Sequence, residues 1–138
     1  MAPVSERALR AVSRQLRFRR HSQPLAVCRL DPEEALPEWA RAGGFSALVR
    51  TPDEWSVVCE QACVPDGVKA QPGWAAIELI GPFDFALTGV LAAALVPLAE
   101  ASVPVFAVST YDTDWILIPA EQIEKAVRAL AAAGHNEI

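Results

Sequence analysis

The residues that could do chemistry gather in one short run, Ser109-Thr110-Tyr111-Asp112-Thr113-Asp114, and in the segment Asp84 to Gly89 that precedes an alanine- and leucine-rich stretch. Three carboxylates, Asp84, Asp112 and Asp114, fall in these two segments among hydroxyl side chains. Asp114 suits an amino or guanidinium group. Backbone N–H groups near Leu87, Thr88 and Gly89, at the start of a helix, suit a carboxylate. Together they describe a pocket for a zwitterion. Each acid also has a plain structural role, Asp84 as a helix N-cap and Asp112 and Asp114 as turn residues. Gly89 inside a helix costs up to about 1 kcal/mol against alanine, so close packing or ligand approach is the expected compensation.

Other chemistries lack their parts. The two histidines, His21 and His135, stand far from any candidate nucleophile in sequence, and no Walker or dinucleotide glycine fingerprint occurs. The chain reads as a non-enzyme without a cofactor. Cys59 and Cys63 resemble a metal pair, but on a strand four residues span roughly 13 Å, so they read as small buried hydrophobes and no metal site is expected. Three cysteines without a secretory segment point to free thiols and a reducing, cytoplasmic setting.

The elements that must position the two segments fit 138 residues of which 52% are apolar and 21% charged, enough for one domain or for two half-size repeats sharing a core. The longest apolar run, Ala86 to Leu98, is too short and too interrupted to span a membrane. Net charge is −5, unevenly spread: residues 1–20 hold six arginines and one glutamate, a charge of +5, and the other 118 residues carry −10. A body that acidic disfavours nucleic acid. Arg7, Arg10, Arg14 and Arg17 recur at helical spacing opposite Leu9, Val12 and Leu16, so the tail over 1–24 reads as a basic amphipathic helix serving as an organelle transit peptide, an anionic-surface anchor or an arm docking on the acidic body, or else as a solvated extension.

From Leu25 the pattern predicts a strand to Leu30, then a helix to about Arg41 opened by Asp31-Pro32-Glu33-Glu34. A hairpin of 45–50 and 55–64 follows. After breaks at 65–67 and 71–73 comes a strand at 74–80. A helix then runs from about Asp84 to Ala101 with Leu87, Leu91, Ala94 and Leu98 as its buried stripe. A second hairpin, 103–110 and 115–118, leads to a last helix from about Ala120 that is capped by Gly134. The order is β-α-β-β twice, and Thr51-Pro52-Asp53-Glu54-Trp55 superimposes on Tyr111-Asp112-Thr113-Asp114-Trp115 at a shift of 60 residues. Neither copy has core enough to stand alone. Val90, Leu95 and Val96 remain as an outward apolar stripe of the second helix, which predicts a homodimer.

Gly81-Pro82-Phe83-Asp84-Phe85, Thr88-Gly89-Val90-Leu91, Pro97-Leu98-Ala99-Glu100-Ala101 and, above all, Ser109 to Asp114 resemble the small ACT-domain proteins related to the CASTOR-type arginine sensors. The resemblance covers about residues 25–135. It implies an α+β protein of two ferredoxin-like ACT modules, 25–70 and 71–138, with antiparallel sheets and helices packed on one face. It implies a regulatory protein that binds a small free amino acid at a module or dimer interface, with ligand contacts at Phe85, Leu87, Thr88, Gly89, Ser109, Thr110, Tyr111 and Asp114. Leu87 stands where the arginine-binding sensors have an acid, so the resemblance does not carry over their specificity for arginine. The alternative is a non-catalytic adaptor that pairs with a protein target through its sheet edges.

Overall fold

The computed structural model describes residues 14–138, and the chain divides into two units, one of residues 22–75 and one of the residues up to His21 together with 76–138. The strand β1 runs Arg17–Leu30 and β4 runs Lys69–Leu79, so each contributes residues to both units.

In the unit of residues 22–75, β2 (Ser46–Arg50) and β3 (Trp55–Glu60) form an antiparallel hairpin in which Arg50 pairs with Trp55, and β3 pairs antiparallel with β1 so that Leu30 faces Trp55 and Ala26 faces Cys59. Alternation along β1 and β3 places Ala26, Cys28, Leu30, Val57 and Cys59 on one face, where they form a core with Ala40. The capping signature at Asp31 is present: the Glu33 N–H donates to Asp31 Oδ1 at 2.8 Å, and the Asp31 N–H donates to Glu34 Oε1 at 3.2 Å. It closes a single turn, not the expected helix. Pro37 cannot donate a helical hydrogen bond and interrupts the segment, leaving one 3-10 turn over Glu38–Arg41. β3 also ends earlier than the hydropathy suggests. The chain turns at Gln61–Cys63, so Cys63 leaves the strand and the strand spacing to Cys59 does not apply. The break expected at 71–73 lies inside β4, where Gly73 takes φ +83° and donates its N–H to Gln61 Oε1 at 2.8 Å.

The other unit orders its strands β1-β4-β6-β5, with β5 (Phe106–Ser109) and β6 (Asp114–Pro119) an antiparallel hairpin and β7 (Asn136–Glu137) parallel to the start of β1. Two helices, α1 (Val90–Glu100) and α2 (Ile123–Ala132), cover one face. Phe18, Ile77, Leu79, Ile116 and Ile118 meet Val90, Ala93, Ala94, Leu98, Ala126 and Leu130 there, and truncating any one large member of such a core costs about 2–5 kcal/mol. Gly134, at φ +95°, ends α2 as its position predicts, and the His135 N–H reaches back to the Leu130 carbonyl at 3.0 Å.

Three expectations change in this unit. Residues 17–20 are strand, not amphipathic helix: Leu16 and Phe18 are buried while Arg17 and Arg19 are exposed, a period of two. The tail reading for residues 1–13 lies outside the described residues. α1 begins at Val90, not at Asp84, because Gly89 sits at φ +82° in the left-handed region, where a right-handed helix cannot propagate through it. Finally, Val90 is 6% exposed and belongs to the core, and Leu95 packs against it. Of the stripe assigned to a dimer face only Val96 remains exposed.

Candidate functional site

The hairpin turn between β5 and β6 is built by its own threonines. Thr110 donates its N–H to the Thr113 carbonyl at 2.8 Å, and its hydroxyl accepts the Thr113 N–H at 3.2 Å. The Thr113 hydroxyl donates to the Leu79 carbonyl at 2.6 Å, anchoring the turn to the end of β4. From the other side, the Phe83 N–H donates to the Asp112 carbonyl at 2.8 Å, which ties the segment after β4 to the same turn. Gly81 is required at this approach: a Cβ on it would meet the Asp112 carbonyl oxygen at 2.7 Å.

Between these two segments lies a cavity of about 250 Å³ lined by Phe85, Leu87, Ser109, Thr110, Tyr111 and Asp114, together with Phe83, Asp84, Val90, Asp112 and Thr113. Six of the eight sequence-predicted contacts therefore come together. Thr88 and Gly89 do not line it: the Thr88 carbonyl accepts from Arg14 Nη2 at 3.2 Å, and the Gly89 carbonyl accepts the Ala93 N–H as the cap of α1. The N–H cradle expected at 87–89 is also partly used, since the Leu87 N–H donates to the Asp84 carbonyl at 2.9 Å. Asp84, expected as an N-cap, instead accepts the Ala86 N–H on its side chain at 2.8 Å, closing a turn of its own.

Asp114 is held by the Ser109 hydroxyl, which donates to its Oδ1 at 2.5 Å across the first pair of the hairpin. At the mouth, Phe85 and Tyr111 meet edge to face with centroids 4.8 Å apart while 75% and 79% exposed. Two large rings in water, fixed against each other beside an acid, form a lip that can cover an apolar or cationic group. An adjoining cavity of about 370 Å³ continues past Pro82 along the same rings. Among the described residues no group of three or more His, Cys, Asp or Glu is placed to hold a metal, and no helix is long and apolar enough to cross a membrane.

Sequence reasoning missed Phe83 and Thr113, whose roles depend on the pairing of the turn with the end of β4. It also missed a cluster on the helix-free face of this unit. Alternation from Phe18, Ile77 and Ile116 in the core puts Arg19, Glu78 and Trp115 on that face. There His21 Nε2 lies 2.9 Å from Glu78 Oε1, and its ring packs on Trp115 at 4.8 Å.

An α+β unit in which two helices cover one face of an antiparallel hairpin sheet is matched by a family model: residues 69–132 match the ACT domain, and residues 24–67 match a second model, described as an N-terminal domain. Residues 69–132 of the chain form an ACT domain. The chain belongs to the same family as protein Atu0741 from Agobacterium tumefaciens, to which it is 35% identical over 91% of this chain and 93% of that one, with a TM-score of 0.85. The fold is also that of VC0802 from Vibrio cholerae, a protein of unknown function described as a possible transport protein (TM-score 0.72, 19% identity, 92% of this chain and 96% of that one). The regulatory subunit of aspartate kinase from Thermus thermophilus shares it as well (TM-score 0.57, 14% identity, 80% of this chain and 91% of that one). No curated protein matches the chain.

Proposed function

We propose that this protein is a cytoplasmic regulatory sensor of tandem ACT type that binds a small free amino acid in the cavity beside Asp114. The observation that carries the reading is the Ser109-held Asp114 carboxylate beneath the Phe85–Tyr111 lip. Asp114 receives the ligand's ammonium group. The carboxylate of the ligand turns toward the N-terminal end of α1, whose first residue, Val90, lines the cavity and where the helix dipole favours negative charge. Support for a regulatory role comes from the ACT match and from the fold shared with an aspartate kinase regulatory subunit. Three free thiols fit the reducing setting. Two chains pair in the proposed form, Leu87 and Val96 being exposed for it, and light scattering should return a two-chain mass.

A thermal-shift screen against the standard amino acids tests the reading. A ligand at about one hundred times its dissociation constant adds about 2.7 kcal/mol, and Asp114→Asn should lose that shift while keeping the melting temperature of the ligand-free protein. A wild type that no amino acid stabilises at millimolar concentration overturns the proposal in favour of an adaptor without a small ligand.

A further inference from the structure

On the helix-free face of the unit that contains the β5–β6 hairpin, a second cavity of about 410 Å³ backs onto the same turn. Its floor and walls include Arg19 from β1, Glu78 from β4, Trp115 from β6 and Asp112 from the turn. Thr110 and Thr113 also line it, but their hydroxyls already donate to the Thr113 and Leu79 carbonyls. The charged groups are differently placed. Glu78 Oε1 is held by His21 at 2.9 Å and stands 3.7 Å from Arg19 Nη1, a distance too long for a hydrogen bond. The Arg19 side chain is 51% exposed, and its guanidinium keeps donors for a further acceptor. The Asp112 carboxylate has no hydrogen-bond or ion-pair partner among the described residues.

We propose that this cavity is a second binding site, for a compact aromatic zwitterion. The ligand's carboxylate pairs with Arg19, its ammonium group with Asp112, and its ring packs along the Trp115 indole. Charge decides the class. A simple anion would meet Arg19 but also the carboxylates of Glu78 and Asp112, and a simple cation would meet Asp112 but also the guanidinium; only a ligand with both signs suits both the half-exposed Arg19, whose one ion pair among the described residues is the long contact to Glu78, and the unpaired Asp112. The volume is within the range of small-molecule pockets. The site needs no contribution from Phe85, Tyr111 or Asp114, although Thr110, Asp112 and Thr113 line both cavities.

Calorimetric titration with L-phenylalanine tests it, using the full chain carrying Asp114→Asn so that the first cavity is disabled. Saturable binding is expected, and adding Arg19→Gln should weaken it by about tenfold or more. Phenethylamine, without the carboxylate, and phenylacetate, without the ammonium group, should each bind about tenfold more weakly than phenylalanine. These two probes need no further substitution and so hold even where a variant folds poorly. Absence of saturable binding to the Asp114→Asn chain overturns the proposal, as does an affinity that Arg19→Gln or loss of either ligand charge leaves unchanged. Failure of the first-cavity reading shows separately, in the thermal-shift screen, as the absence of any amino acid whose stabilisation is lost in the Asp114→Asn chain.

Discussion

Trp55 and Asp114 hold the same position in the two hairpins: each is the first residue of its second strand, paired across the turn with Arg50 and Ser109 respectively. The turns beneath them are built alike, Thr51 donating its N–H to the Glu54 carbonyl and Thr110 to the Thr113 carbonyl, both at 2.8 Å. In one hairpin the pair is closed on itself. The Arg50 guanidinium lies 5.9 Å from the Trp55 ring centroid, its Nε donates to the Pro32 carbonyl, and the Trp55 indole N–H donates to the Glu34 carbonyl. In the other, Ser109 and Asp114 face a cavity. Of these two equivalent positions, only that of the second hairpin carries an acid facing a cavity.

Gly81→Ala should disable the cavity beside Asp114 without dismantling the fold. The added methyl meets the Asp112 carbonyl, so the segment after β4 must move from the turn, at a cost of about 1–3 kcal/mol. The amino-acid-induced thermal shift should vanish while far-ultraviolet circular dichroism stays native.

His135 is 3% exposed, accepts the Leu16 N–H at Nδ1 (3.0 Å) and donates from Nε2 to the Ala93 carbonyl (2.8 Å). It is therefore neutral, with its proton on Nε2. His135→Leu leaves a buried donor and a buried acceptor unpaired, and the two together should cost about 2–5 kcal/mol in denaturant unfolding. His135→Gln, which can both accept and donate, should recover part of the loss.

Arg20 joins the last strand and α2, bonding Glu137 through Nε and Nη2 and Glu124 through Nη1. Its hydrogen bond holds the Glu137 carboxyl below its ordinary range, so the stability it contributes is present above the unfolded carboxylate pKa and is lost as pH falls through the folded one. The groups are partly exposed, which limits the contribution to about 1 kcal/mol. Arg20→Met should lower stability at neutral pH by that amount, less at high salt, and flatten its decline with acid. A decline as steep as that of the wild type would show that the bridge contributes nothing.

Burial, followed by the neighbouring Cys28, pushes the Cys59 thiol up to about 12, and burial raises Cys28 as well. In the native protein iodoacetamide should modify the half-buried Cys63 first, with Cys28 and Cys59 following only on unfolding. Because the unfolded thiols ionise near their ordinary value while the folded Cys59 stays protonated, stability should fall as pH rises above about 8.5. Peptide mapping after labelling at mildly alkaline pH checks the order.

Much of this was legible in the residues. The two hairpins, the last helix and its Gly134 cap followed from periodicity and turn chemistry, and Ser109, Thr110, Tyr111 and Asp114 were found as one polar run. The internal correspondence was misread by one residue, because matching tryptophans set a shift of 60 where the Thr51 and Thr110 turns set 59. In a strand that error moves every side chain to the other face. The helix starts failed for backbone reasons. Asp31 and Asp84 both carry cap chemistry, but Pro37 and the left-handed Gly89 decide where helix can run. The Arg19, Glu78 and Trp115 cluster was hidden because its members lie on three strands and none belongs to a local motif.

The Leu16 N–H and the His135 ring that accepts it are 119 residues apart in the chain, and β7 lies against the first residues of β1. Consider the order in which a ribosome delivers these pieces. All of residues 22–75, one contiguous unit, emerge before α1, whereas the unit around the Asp114 cavity pairs the first residues of β1 with β7, which is made only after α2. Arg17 and Phe18 of β1 must wait, unpaired on one side, until Asn136 and Glu137 emerge. Long-range closure of this kind is slow, and such a waiting strand is where nascent chains aggregate or recruit holding chaperones.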